Sequence, residues 1–116
     1  PVYISANAYF NGAEGFDREK GGFTDKEFNP GVKILEEGDQ VYLEMHIQKE
    51  MLDIPAEIAS TETLGTVRIV DAIFDDPNSH PITLDIDYTG ARRSAKPIVG
   101  PIEGLKPGFN RIKVWG

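Results

Sequence analysis

The 116-residue chain contains no cysteine. Disulfides and thiolate metal sites are therefore excluded, and stability must come from packing. No apolar run approaches the ~20 residues of a membrane-spanning helix, and no basic-then-apolar leader opens the sequence. A membrane is accordingly not an expected partner, and a soluble chain compatible with a bacterial cytoplasm is expected. Cations are also scarce: 12 Lys and Arg stand against 19 Asp and Glu, for a net charge of -7. Nucleic acid is not an expected partner, because a phosphate backbone is held by clustered cations. Histidine occurs twice, as His46 and His80, too far apart in sequence and without cysteine to form a zinc ligand set. Glycine-rich phosphate loops and Gly-x-Ser-x-Gly nucleophile elbows are missing, and no cofactor is expected.

What remains is an ordinary globular balance, 40% hydrophobic and 27% charged, in a length that supports one core and not two. The whole of residues 1–116 reads as one domain. It begins at Pro1 without methionine, which suits a processed product or a domain cut from something longer. Charge is unevenly spread. Arg92, Arg93, Lys96, Lys106, Arg111 and Lys113 face Glu103 alone in the last quarter, so a basic tail is expected to return over an acidic body.

The surest local structure is residues 41–48, where Val41, Leu43, Met45 and Ile47 alternate with Tyr42, Glu44, His46 and Gln48. Such alternation predicts a strand with one dry and one polar face. Val32, Ile34 and Leu35, followed by the polar link Glu36-Glu37-Gly38-Asp39-Gln40, predict its antiparallel hairpin partner. The chain opens with β-rich residues and turns at Asn11-Gly12. Residues 13–31 are polar and Gly-rich but carry Phe16, Phe23 and Phe28, which predicts a long loop that packs on something. A single helical turn is the most that residues 49–58 allow, given Pro55. Val67 and Ile69, continued by Ile73 and Phe74, predict a further strand. So does the alternation of Ile82, Leu84, Ile86 and Tyr88 with Thr83, Asp85 and Asp87, which puts the apolar row inward. After a Pro/Gly-rich stretch, residues 109–115 close the chain with Ile112 and Val114 inward and Arg111, Lys113 and Trp115 outward. Seven to nine short strands with Gly/Pro turns and no helical period predict an all-β fold, an antiparallel β-sandwich of jelly-roll or immunoglobulin-like outline.

Several groupings invite chemistry. Glu44 and His46 share a strand face with Tyr42, a candidate acid/base row, although a solvated sheet face gives the same pattern. Asp85 and Asp87 also share a face, and paired carboxylates cut glycosidic bonds. Pairing with Arg92, Arg93 or Arg111 is the simpler role for them. Asp75-Asp76-Pro77-Asn78 offers oxygen ligands for calcium but lacks the spacing of a dedicated loop, so no metal site is assigned. Tyr42 and Trp115, both outward, are the candidate carbohydrate-contact residues, because a sugar's C–H face stacks on a flat ring. A ring packed on a neighbouring domain is the competing reading for Trp115.

Other runs form a pattern of their own: Pro1-Val2-Tyr3-Ile4, Asn7 to Ala13 (NAYFNGA), Glu37-Gly38-Asp39-Gln40-Val41-Tyr42-Leu43, Val67-Arg68-Ile69-Val70-Asp71-Ala72, Asp85-Ile86-Asp87-Tyr88, Gly100-Pro101-Ile102 and Ile112-Lys113-Val114-Trp115. In this order they resemble the C-terminal region of bacterial right-handed parallel β-helix glycosidases of the β-xylosidase type. The resemblance implies an accessory β-sandwich belonging to a larger glycoside hydrolase that acts on plant cell-wall oligosaccharides. It implies that the partner is the catalytic β-helix domain of the same protein, with xylo-oligosaccharide as a further partner. The catalytic carboxylates of such enzymes lie on the β-helix, so no residue here is expected to be catalytic. An independent carbohydrate-binding module is the alternative, and a small hydrolase using Asp85 and Asp87 is a third.

Overall fold

The computed structural model describes residues 4–116. Its elements are β1 (Ala8–Phe10), β2 (Phe23–Asp25), β3 (Lys33–Glu37), β4 (Gln40–Ile47), the one-turn helices α1 (Lys49–Leu52) and α2 (Thr61–Leu64), and β5 (Gly108–Trp115). The all-β class is as expected. Among the described residues five strands stand where seven to nine were expected for the whole chain, in a three-stranded antiparallel sheet of order β3-β4-β5 and a two-stranded ribbon, β1-β2, whose strands run parallel. The opening residues Val2 and Tyr3 lie outside the described residues.

The β3-β4 hairpin forms where the alternation placed it. Gly38 takes the turn at φ 61°, a left-handed conformation that a side chain resists. β4 is the central strand, with both edges paired, so its long apolar row is matched by full backbone bonding. A register shift between Val41 and Tyr42 puts Trp115 opposite Val41 and Lys113 opposite Tyr42.

Residues 11–22 carry the crossover that a parallel pair requires. They are coiled around one carboxylate. Glu19 accepts from the Tyr9 hydroxyl at 2.7 Å and from the Asn7 backbone N–H and side-chain amide at 2.9 and 2.8 Å. Gly15 sits so close to the Tyr9 ring that a Cβ there would lie 2.9 Å from it. Two of the three loop phenylalanines justify themselves: Phe23, in β2, and Phe28 both meet Phe10 edge-on, at 6.0 and 5.4 Å between centroids. Phe16 stays exposed.

Residues 66–74 and 82–88 do not become strands. Each is held by isolated bridges, Thr66 to Ile73, Ser60 to Thr83 and Ile86 to Arg92. Val67 N–H bonds back to the Ala72 carbonyl at 2.8 Å, closing a tight turn that leaves Ile69 92% exposed at its tip. α2 ties the two segments together: the Thr61 hydroxyl donates to the Phe74 carbonyl and accepts from Ile82 N–H. β-propensity here is not answered by a neighbouring strand within these residues, so the ladder never forms.

The interior is small. Ile47, Met51, Ile54 and Val99 form the core cluster, with Ala8, Phe10, Phe23 and Met45 packed on it from the two sheets. Only Ile47 of the row from Val41 to Ile47 is buried, and Leu43 and Met45 line an apolar cleft of about 430 Å³ with Phe10, Val32 and Leu105. The surface area, 8466 Å², exceeds the roughly 6,300 Å² usual for a folded chain of 12.8 kDa. The radius of gyration, 16.3 Å, likewise exceeds the about 13 Å usual at this length. Much apolar surface is therefore left uncovered. No helix among the described residues is long and apolar enough to cross a membrane.

Truncation at the core and at the cleft should cost differently. Ile47→Ala should destabilise by roughly 2–5 kcal/mol, whereas Leu43→Ala, which only widens an open cleft, should cost about 1 kcal/mol. Urea unfolding of both variants checks this.

Candidate functional site

The outward face of the β3-β4-β5 sheet carries the candidate acid/base row and the candidate stacking residues, and Arg111 of β5 organises it. Antiparallel pairing sets Arg111 opposite Glu44. Its guanidinium bonds Glu37 at 2.7 Å and Glu44 at 3.4 Å, and lies 4.1 Å over the Tyr42 ring. Glu37 first, then the charges of Glu44 and Tyr42, raise the Arg111 pKa against the opposing effect of desolvation. The cation is thus held by two carboxylates while its flat face satisfies an aromatic one.

This arrangement separates the acid/base row. Glu44 turns to Arg111, while the His46 ring packs on Phe109 at 5.5 Å, so the carboxylate and the imidazole each have another neighbour. Tyr42 has one ring face under the guanidinium and donates its hydroxyl to Gln40 Oε1 at 2.6 Å. Trp115 is 71% exposed at the same end of the sheet, at the register position next to the Lys113–Tyr42 pair. Of the two candidate carbohydrate contacts, Trp115 presents the freer ring.

Asp85 and Asp87 do not form a catalytic pair. Asp85 bonds Arg92 at 2.7 Å. Asp87 is buried, and its two oxygens accept from Thr89 N–H and hydroxyl, Ala91 N–H and Glu103 N–H at 2.7–2.9 Å. Burial alone would push its pKa up; the Thr89 hydroxyl and the three N–H groups overcome that and bring it down to about 2. A carboxylate so occupied is a bracket between residues 87–91 and 103, not a proton carrier. Its signal was present in the sequence, since Asp-x-Thr-Gly is turn chemistry in which an Asp side chain bonds the backbone two residues on. Arg93 completes the bracket, bonding Glu103 at 3.2 Å and the carbonyls of Ile98 and Gly100. Of the basic tail, Arg111 returns over the body to Glu37 and Glu44, whereas Arg92 pairs locally with Asp85 and Arg93 with Glu103 of the tail itself.

Asp76 spends its carboxylate on its own turn, accepting from Asn78 and His80 N–H at 2.8 and 2.9 Å. No cluster of three or more His, Asp or Glu suited to a metal ion occurs among the described residues. Besides the apolar cleft there is a larger one of about 720 Å³, where Ser5, Asn7, Arg18 and Lys20 stand with residues 55–59, Thr63 and residues 97–100. Its walls mix apolar side chains with Arg18, Lys20, Arg93 and Glu57, and none of the described residues lining it is aromatic.

No family model matches the chain, and no curated protein matches it. Among solved structures, that of XylC in complex with xylose is similar over 99% of this chain, with 48% sequence identity and a TM-score of 0.93. The chain spans 18% of the length of that protein.

The Asp87 bracket makes a pH prediction. A carboxyl lowered to about 2 in the folded chain, against about 3.9 unfolded, contributes stability that is complete above pH 4 to 5 and is lost as pH falls towards 2. Urea midpoints measured from pH 6 to pH 2 should fall through that window. In Asp87→Asn the pH 6 midpoint should be lower and the decline shallower, because the amide cannot accept from Glu103 N–H as well as from the Thr89 loop.

Proposed function

We propose that the chain is a non-catalytic accessory β-sandwich of a glycosidase of the β-xylosidase type, built on a parallel β-helix and acting on plant cell-wall oligosaccharides, and that it packs on and stabilises the catalytic body. The observation that carries this reading is the likeness to XylC, over nearly all of this chain and under one fifth of that one. The excess surface supports it: a chain of this mass that exposes about 2,000 Å² more than usual has the surface of a part rather than of a whole. The occupied carboxylates support the non-catalytic half of the reading. Glu44, Asp85 and Asp87 each hold a structural partner, so none of them is set as one of the two carboxyl groups that most retaining and inverting glycosidases place on either side of the scissile bond. The accessory role holds whether the β-helix lies before or after these residues, and the reading frame on either side of them distinguishes the two.

A carbohydrate-binding module is the second reading, favoured by the exposed ring of Trp115 and by the xylose in the XylC complex. Two measurements separate the readings. The accessory part should give no aryl-xyloside turnover on its own, while the polypeptide that contains it turns over the substrate and keeps nearly full activity in Glu44→Gln/His46→Gln. Turnover by residues 1–116 alone would sink the non-catalytic reading. Calorimetric titration with xylo-oligosaccharide should show no saturable heat; millimolar or tighter binding that vanishes in Trp115→Ala would establish the module instead.

A further inference from the structure

The segment at residues 84–88 is inside out. Its alternation predicts Leu84, Ile86 and Tyr88 facing the core and Asp85 and Asp87 facing water. In the fold Leu84, Ile86 and Tyr88 are 55, 53 and 62% exposed, while Asp87 is buried and Asp85 is partly covered. Burial alternates residue by residue from Leu84 to Tyr88, which puts the three apolar side chains on the side away from Asp85 and Asp87, as one row.

That row is fixed from behind. Asp85 is held by Arg92, Asp87 by the Thr89, Ala91 and Glu103 donors. Backbone bonds from Leu84 N–H to the Ala59 carbonyl and from Tyr88 N–H to the Pro101 carbonyl, both 2.8 Å, tie down its ends, and the Tyr88 hydroxyl donates to the Val114 carbonyl. The polar side of the segment cannot turn outward without breaking these bonds. The row is therefore ordered before anything covers it, which removes most of the entropy cost of docking.

We infer that Leu84, Ile86 and Tyr88 are a docking row, and that its occupant is an apolar surface on the remainder of a longer polypeptide to which this chain belongs. The inference rests on the accessory reading above and adds the face that docks. Area argues for that occupant. The chain as a whole exposes about 2,000 Å² more than is usual for its mass, enough to hold more than the roughly 800 Å² that one partner contributes to an ordinary transient or dimeric contact, and the row is one apolar part of that surface. XylC supplies a neighbour of the needed kind, since more than four fifths of that chain lies outside the match.

Hydroxyl-radical footprinting of the complete polypeptide encoded by this reading frame tests the row. Oxidation of Leu84, Ile86 and Tyr88 is compared with that in the urea-unfolded polypeptide. A covered row should be protected about tenfold or more, and Leu84→Ser/Ile86→Ser should lower the melting temperature of the whole polypeptide. Protection of only about twofold, as the exposures above dictate, would overturn the inference. So would protection that disappears on dilution, which would make a second copy the occupant. The accessory reading fails separately, through a frame that encodes no further domain or a polypeptide without xyloside turnover.

Discussion

The packing of Ile47 on Met51, Ile54 and Val99 is the contact on which the rest of the molecule depends, because it is where the sheet meets the loops and the parallel ribbon. Ile47 ends β4, the one strand with neighbours on both sides, and α1 starts two residues later with Met51 turned into the same cluster. Phe10, Phe23 and Met45 lean on that cluster from opposite sheets. Remove it and the β3-β4-β5 sheet loses its main support, since Leu43 and Met45, the next apolar residues of the β4 row, border an open cleft.

With so little apolar interior, three charged side chains do the fastening that a larger core would do elsewhere. Glu19 gathers the crossover loop by accepting from Tyr9 and Asn7, Asp87 joins two turns sixteen residues apart by accepting from backbone donors, and Arg111 crosses all three strands of the sheet. Each is satisfied by several partners, and for the buried Asp87 that is the condition under which a charge removed from water is tolerated. The same economy explains the outward face. The residues that looked reactive there, Glu44 and Tyr42, are engaged by Arg111 and help to hold β4 and β5 together.

Period-two alternation was legible wherever the chain itself supplied a pairing partner. The hairpin of β3 and β4 pairs where the pattern placed it, and the closing strand β5 follows the pattern residue by residue, with Ile112 and Val114 half-buried and Arg111, Lys113 and Trp115 exposed. Alternation says which residues share a side, but not which side is wet, and at residues 82–88 the choice went the other way. Tertiary bonds to Asp87 decided it. The parallel pairing of β1 and β2 was illegible for a related reason: it depends on the path of residues 11–22, which Glu19 sets through contacts with no local sequence signature. Of the candidate site, the outward placement of Tyr42 and Trp115 was legible, while the guanidinium over Tyr42 was not, because it comes from a residue about seventy positions away.

That separation bears on how the molecule is made. β5 meets β4 only after nearly the whole chain exists; the Glu44–Arg111 contact alone spans 67 residues. Pairings across such distances form slowly, because a long loop must close before any contact rewards it. While a ribosome is still producing residues 48–107, the early hairpin waits with one long edge of unpaired amides and carbonyls and with Leu43 and Met45 uncovered, the very surface that recruits stray strands. The negative charges beside it, Glu36, Glu37, Asp39 and Glu44, repel like hairpins at that stage, and only later does Arg111 arrive to pair with two of them, Glu37 and Glu44.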